Sequence, residues 1–416
     1  MTKLDHVWIE QFRIRGYRSC ISTSIKASSD LSVLIGPNGS GKTNVLQGIL
    51  LLRPFLLRRL RRSASEGRPN RTFLQASFRV GNVSIPYRVW VNYTTSDRNV
   101  DEVLSVREKW NFKAVTKVDR WSDFPSDTVH QSYYYVQRRY LGNSNSVPAI
   151  RLSNEQPLSF LPKRLRPFVT AISEYRSRIS YYSASQFTNP SRCPSSFEID
   201  EDGDLRDPGA FRNEHLQFVF DLYTHSKTDP RRYEEYLSIV GNRGIGLIDR
   251  ITWKQVKVSS STVEVKSGGK VVKERRDRLL IIPNVYIKQS HLSFNQLSEG
   301  TFKTLALLFY LVTDKSGLLL IEEPEVCVHH GLLASVIELI KTFSREKQIL
   351  CSTHSDFVLD SLTPEQVLSV KNEGRSGTIV RRISQDVSRK KYQALKDYLL
   401  TSGNLGEYWR HGGLDE

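Results

Sequence analysis

One eight-residue run, Gly36-Pro37-Asn38-Gly39-Ser40-Gly41-Lys42-Thr43, restricts the folds open to this chain more than any other feature. It fits the spacing GxxxxGK[ST], follows the strand-like run Leu31-Ser32-Val33-Leu34-Ile35, and leads into a stretch from Asn44 that reads as a helix. Strand, glycine-rich turn and helix in that order begin a parallel sheet with helices packed on it. The residue types also specify a chemistry. Gly36, Gly39 and Gly41, with Asn38 among them, let backbone N–H groups turn inward around phosphates. Lys42 puts a point charge on the β/γ oxygens, and Thr43 offers a hydroxyl to Mg²⁺. The N-terminal dipole of the following helix faces the same anion.

A phosphate loop says only that a nucleotide binds; the second half of the chain says how it is used. The apolar run Leu318-Leu319-Leu320-Ile321 ends in Glu322-Glu323. ATP hydrolysis needs Mg²⁺ held against the β/γ-phosphates and a water aimed at the γ-phosphorus. Glu322, closing a buried strand, is the candidate for the magnesium shell, and Glu323 for the base that orients the water. A further apolar strand, Gln348-Ile349-Leu350-Cys351-Ser352, runs into Thr353-His354-Ser355, so His354 is a candidate sensor of the γ-phosphate. His329 and His330 are adjacent and have no third ligand in register, so they are read as structural or phosphate-adjacent, not as metal ligands. Ahead of these strands, Leu297-Ser298-Glu299-Gly300 opens a helix expected over Thr301 to Thr313. Ser298 and Gly300 would present a hydroxyl and free N–H groups to an anion. Their own subunit's phosphates already sit in its own loop, so a second copy would have to supply one.

Lys and Arg number 60 against 44 Asp and Glu in 416 residues, a formal net charge of +16. Such an excess favours a polyanionic partner, with nucleic acid the natural candidate. Basic clusters stand at Arg58-Arg59-Leu60-Arg61-Arg62, Lys163-Arg164, Lys273-Glu274-Arg275-Arg276 and Arg389-Lys390-Lys391. Cys20, Cys193, Cys327 and Cys351 form no CxxC pair, which argues against a disulfide framework or a zinc site. Cys327 and Cys351 lie in or beside apolar runs and read as small core residues. The first residues have no apolar signal region, and no run approaches the roughly 18 apolar residues of a membrane span. A cytoplasmic protein is the expectation.

The chain is expected to fold as α/β, with an antiparallel β subdomain and an inserted mixed α/β lobe. Residues 1–190 and 291–416 would be the two halves of one ATPase domain, and 191–290 the lobe between them. Alternation in Thr72–Val80 and Val83–Val91 around Gly81-Asn82 predicts an antiparallel hairpin with one buried face. Strand-like residues recur at Val7–Ile14 and Ile179–Ala184. Helical spacing covers Phe211–Tyr223 and Arg231–Val240, and Ile251–Ile287 reads as strands broken by Ser267-Gly268-Gly269. The stretch from Tyr93 to Ser180, with its polar patch Asn143-Ser144-Asn145-Ser146, gives no clear pattern.

Taken together, the Ile9–Arg13 strand, the loop Gly36–Thr43, Leu297–Gly300, Leu320-Ile321-Glu322-Glu323-Pro324-Glu325 and Ser352–Ser355 resemble the ATP-binding-cassette ATPases of the SMC, RecF and OLD group. Pro324-Glu325 and the later histidines depart from transporter subunits, which usually continue with Pro-Thr or Pro-Ser and Leu-Asp. The resemblance implies head-to-head homodimers or higher oligomers, with ATP and Mg²⁺ held between one subunit's phosphate loop and the other's Ser298 turn. It also implies a glutamine-bearing loop, for which Gln186 after Tyr181-Tyr182 is the candidate. Glu322 stands where the group more often has Asp. About sixty residues follow His354, too few for the Toprim nuclease many OLD proteins carry, and no long heptad repeat of the SMC kind stands out.

Relatives of this kind often serve prokaryotic DNA repair or antiphage defence. The expected function is therefore a dimeric ATPase controlling a separate effector, a nuclease or toxin, or a nucleic-acid contact. The alternative is an ATP-binding scaffold with slow turnover that holds a partner protein in an assembly.

Overall fold

The computed structural model describes residues 6–53, 70–95, 101–123, 162–200, 205, 213–265, 271–326, 328, 330–386, 388–401 and 403–413. Its strands are β1 (Val7–Tyr17), β2 (Cys20–Lys26), β3 (Leu31–Ile35), β4 (Asn70–Val80), β5 (Val83–Thr95), β6 (Asp101–Asn111), β7 (Trp121–Asp123), β8 (Ile179–Ser183), β9 (Phe197–Ile199), β10 (Arg250–Val265), β11 (Val271–Ile287), β12 (Ser290–Leu292), β13 (Leu318–Glu322), β14 (Gln348–Thr353), β15 (Val367–Asn372) and β16 (Thr378–Arg382). Its helices are α1 (Lys42–Leu50), α2 (Lys113–Thr116), α3 (Arg166–Ser177), α4 (Glu214–Thr228), α5 (Pro230–Val240), α6 (Glu299–Thr313), α7 (His330–Phe343), α8 (Asp356–Asp360), α9 (Arg389–Thr401) and α10 (Leu405–Arg410).

The central sheet has the order β16-β15-β3-β14-β13-β8. All neighbours are parallel except the edge strand β16, which runs antiparallel to β15. Strands covered on both faces read as continuous apolar runs, which is why β3, β13 and β14 show no polar alternation. Their side chains still divide with period two. Leu31, Val33, Ile35, Leu319, Ile321, Ile349 and Cys351 enter one core; Leu34, Leu318, Leu320 and Leu350 enter the other.

On the second side, α1 and α3 separate the central sheet from an antiparallel sheet ordered β2-β1-β4-β5-β6-β7. The predicted hairpin is its middle, with Val80 opposite Val83 across the Gly81-Asn82 turn. Alternation holds along it: Leu74, Ala76, Phe78, Tyr87, Val89 and Val91 are all fully buried. Where α1 crosses β1, a Cβ on Gly48 would lie 2.6 Å from the terminal methyl of Ile14, so a larger residue there would have to push that side chain aside.

On the other side, α6 is the axis of the larger core. Phe302 and Phe309 meet Phe218 of α4 at 5.4 and 5.6 Å between ring centroids, and Phe309 meets Tyr236 of α5 at 5.6 Å. Residues 191–290, expected as an inserted lobe, therefore bury their helices in the same core as the C-terminal half. The long hairpin β10–β11 keeps unbroken register from Arg250 opposite Tyr286 to Val265 opposite Val271. Helices α4 and α5 start at Glu214 and Pro230, near the expected starts, each capped by a side chain, Asn213 and Asp229. Among the described residues no helix is long and apolar enough to cross a membrane. Cys20, Cys193 and Cys351 are buried free thiols. Cys327, His329, the Arg58–Arg62 cluster and the Asn143–Ser146 patch lie outside the described residues.

Candidate functional site

The C-terminal ends of four parallel strands converge. Glu322 is level with Ser352 of β14 and with Ser183 of β8, and Thr353 is level with Ile35 of β3. Register alone thus brings the phosphate loop, the acid pair and the His354 turn to one edge of the sheet. Ligands bind at this edge in open α/β sheets.

The loop is built for close approach of an anion. Gly39 and Gly41 have φ of 78° and 101°, conformations that penalise any side chain. A Cβ on Gly36 would lie 2.2 Å from the Val370 carbonyl oxygen. Lys42 is buried, and its Nζ donates to the Gly36 and Pro37 carbonyls at 2.8 and 3.1 Å. Burial pulls its pKa down, against the raising effect of the Glu323, Glu325 and Glu322 carboxylates. The loop is braced from outside by groups that its own sequence does not reveal. Thr378 on β16 donates to the Ser40 carbonyl at 3.1 Å and shares a 2.7 Å hydrogen bond with Ser19, which also accepts from Asn44 at 2.7 Å.

The Thr43 hydroxyl donates directly to Glu322 Oε1, joining α1 to the end of β13. The other oxygen of Glu322 accepts from the Tyr181 hydroxyl of β8. Burial, then the neighbouring Glu322 charge, pushes the Tyr181 pKa far up, so the phenol stays a donor. Glu323 adopts φ 49°, an uncommon left-handed conformation for a non-glycine residue, while its N–H still bonds to the Ser352 carbonyl at 3.0 Å. That turn swings the second acid off the strand direction. His354 Nδ1 lies 3.5 Å from Glu323 Oε1 and 3.4 Å from Glu325 Oε1. Glu325 fixes the turn that carries His354: its Oε1 accepts from the Thr353 hydroxyl at 2.7 Å and the His354 N–H at 3.0 Å. Its Oε2 is buried and has no hydrogen-bond partner.

Of the residues expected from sequence, the loop glycines, Asn38, Lys42, Thr43, Glu322, Glu323 and His354 therefore come together. Gln186 sits in a short 3₁₀ turn, Ala184–Phe187, directly beyond the end of β8. Ser298 and Gly300 are elsewhere in the bonding pattern. Ser298 is exposed and caps α6, accepting from the Thr301 N–H at 3.2 Å and sharing a 2.8 Å bond with its hydroxyl. Glu299 ties this turn to the segment after Gln186, accepting from the Asn189 N–H at 3.2 Å. Tyr181, Glu325, Ser19 and Thr378 have no site role in the sequence reading.

The donor set fits a nucleotide phosphate with Mg²⁺. The Ser40 hydroxyl is buried without a partner, the Lys42 ammonium faces its own loop, and the Thr43 hydroxyl and Glu322 carboxylate are paired hard-oxygen ligands.

A phosphate loop on the middle strand of a parallel sheet, an acid-tipped strand two positions away and an antiparallel sheet over α1 define an ABC-type P-loop head. Residues 31–360 match the family described as AAA domain, putative AbiEii toxin, Type IV TA system, and the chain belongs to that family. No curated protein matches it. Similar solved structures include an SMC head bound to the C-winged helix domain of ScpA, 12% identical with TM-score 0.48, covering 92% of this chain and 99% of that one. Another is the SMC head domain from Thermotoga maritima, 11% identical with TM-score 0.44, covering 90% and 98%. A third is an SMC head with an extended coiled coil bound to the C-terminal domain of ScpA, derived from Pyrococcus furiosus; it is 13% identical with TM-score 0.45, covering 95% and 100%.

Proposed function

We propose that this protein is an ATP hydrolase that works as a dimer, closing on ATP to control a separate effector or a nucleic-acid contact in antiphage defence or DNA repair. The observation that carries the reading is the direct bond between Thr43 and Glu322 with Glu323 and His354 beside it. These are the groups that a magnesium-dependent phosphoryl transfer to water requires, gathered from three strands.

In this reading Thr43 and Glu322 hold Mg²⁺, which neutralises charge on the β/γ-phosphates when bound. Lys42 turns from its loop carbonyls to the phosphate oxygens. Glu323 accepts a proton from the water that it aims at the γ-phosphorus, and His354 donates to the γ-phosphate while sharing Glu323 and Glu325 as neighbours. Gln186, just beyond the end of β8, would link occupancy to the Asn189–Glu299 contact. Ser298 and Gly300 act on the nucleotide of a second copy. The exposure of Ser298, whose hydroxyl bonds within its own turn to Thr301, supports that assignment. A nuclease or toxin as the effector accords with the toxin–antitoxin wording of the family description.

A Glu323→Gln variant tests hydrolysis. It should bind ATP as the unmodified protein does while turnover falls by about 100-fold or more. Negligible turnover in the unmodified protein, with DNA present, would instead favour the slow scaffold that uses ATP to hold an assembly.

A further inference from the structure

The outer face of the antiparallel sheet sets cationic side chains and aromatic rings in register. Register builds two cross-strand rows there. One runs from Arg13 through Gln75 and Arg88 to Lys109, and the next from Arg15 through Phe73 and Trp90 to Arg107. Adjacent members of a row stand about 5 Å apart, and the rows about 7 Å apart along the strands. Their neighbours in sequence, Phe12, Ile14, Leu74, Val89 and Trp110, point the other way into the core. Arg15 and Arg107 are exposed, while Arg13, Phe73, Arg88 and Trp90 are partly exposed.

Charge and ring surface are interleaved on this face. The Phe73 and Trp90 rings lie 5.2 Å apart at a 47° tilt, and the Arg88 guanidinium lies 3.9 Å over the Trp121 ring. The first acid along the Arg13 row is Asp123, beyond Lys109 on the edge strand. The nearest other carboxylate on β1, Glu10, is already paired with Arg79. Partly open ring surface set among cations makes two demands of a partner, flat groups to stack on the rings and negative charge for the arginines. A polyanion carrying flat rings satisfies both demands at once: its phosphates meet the arginines and its bases stack on Phe73 and Trp90.

We propose that this face binds single-stranded nucleic acid, with Phe73 and Trp90 as the stacking platform and Arg13, Arg15 and Arg88 along the backbone. Bases paired inside a duplex cannot reach the rings, so single strands are preferred. This contact gives the ATPase reading its nucleic-acid partner and rests on that reading for its purpose, but its test runs without ATP, so the two fail separately.

Fluorescence anisotropy of labelled oligo-dT and oligo-U with the full chain, over a salt series, reads the binding. Both single strands should bind in preference to a duplex of equal length, quench tryptophan emission and weaken as salt rises. Trp90→Ala should weaken binding about 10-fold or more. Arg13→Glu with Arg15→Glu should weaken it further and flatten the salt dependence. Binding of a fluorescent ATP analogue, measured separately, reports that each variant is folded. Equal affinity for duplex with no effect of Trp90→Ala would overturn the proposal, as would no oligonucleotide binding at low salt. Displacement by polyglutamate as effective as by oligonucleotide would also overturn it, in favour of an acidic protein surface.

Discussion

At the scale of single residues, the second carboxylate oxygen of Glu322 is the most informative contact. A glutamate reaches farther than an aspartate and has one more torsion to order, and the Tyr181 hydroxyl holds the oxygen that Thr43 does not. Losing a hydrogen bond to a charged group costs about 1.5–3 kcal/mol. Tyr181→Phe should therefore raise the Mg²⁺ concentration needed to tighten ATP binding by about 10-fold, while affinity in EDTA stays the same. A titration of fluorescent ATP analogue against Mg²⁺ reads this directly; an unchanged Mg²⁺ dependence would remove Tyr181 from the site. Glu322, Glu323 and His354 were legible because each ends an apolar run. Tyr181 was not, because its role comes from β8 pairing with β13, a long-range register that spacing does not encode. Glu325 belongs to the acid motif, but only the folded turn shows its bonds to Thr353 and His354. Ser19 and Thr378 were equally hidden, small polar residues distant in sequence that meet against the phosphate loop.

At the scale of elements, α6 joins the parts that sequence reading separated. The expected bounds 191–290 follow chain order, which says nothing of where the helices between them bury their faces. Phe218 and Tyr236 pack against α6, so the helices between the halves share its core. Phe309 is completely buried among Phe218, Tyr236, Tyr310 and His225. Phe309→Ala should cost about 3–5 kcal/mol and unfold α4, α5 and α6 in one transition. Urea unfolding followed by tryptophan emission, with Trp253 beside Tyr223 as reporter, should show a single shifted midpoint; two separated transitions would mean an independently folded lobe. The strong apolar strands were readable from their runs. The β15–β16 pair was missed because β16 carries Arg381 and Arg382 and lies at an edge, where one polar face removes the signal.

At the scale of the whole molecule, the proposal assigns the two informative segments of the sequence to different copies of the site. The phosphate loop, acid pair and His354 lie along one sheet edge, whereas the Ser298 turn caps α6 without bonding to that loop. Glu299 links the turn back to the segment after Gln186 through the Asn189 N–H; in the proposed dimer this is the route by which occupancy of one site would reach the surface offered to the other. The central claim is that a complete site takes Lys42 from one chain and Ser298 from another. Mixing two variants, Lys42→Ala and Ser298→Arg, each inactive alone, tests it most directly. We expect ATP turnover to return on mixing, because the mixed dimer contains one site with both residues intact. Full activity of Ser298→Arg alone, or no recovery on mixing when both variants bind each other, would contradict a site shared between two chains.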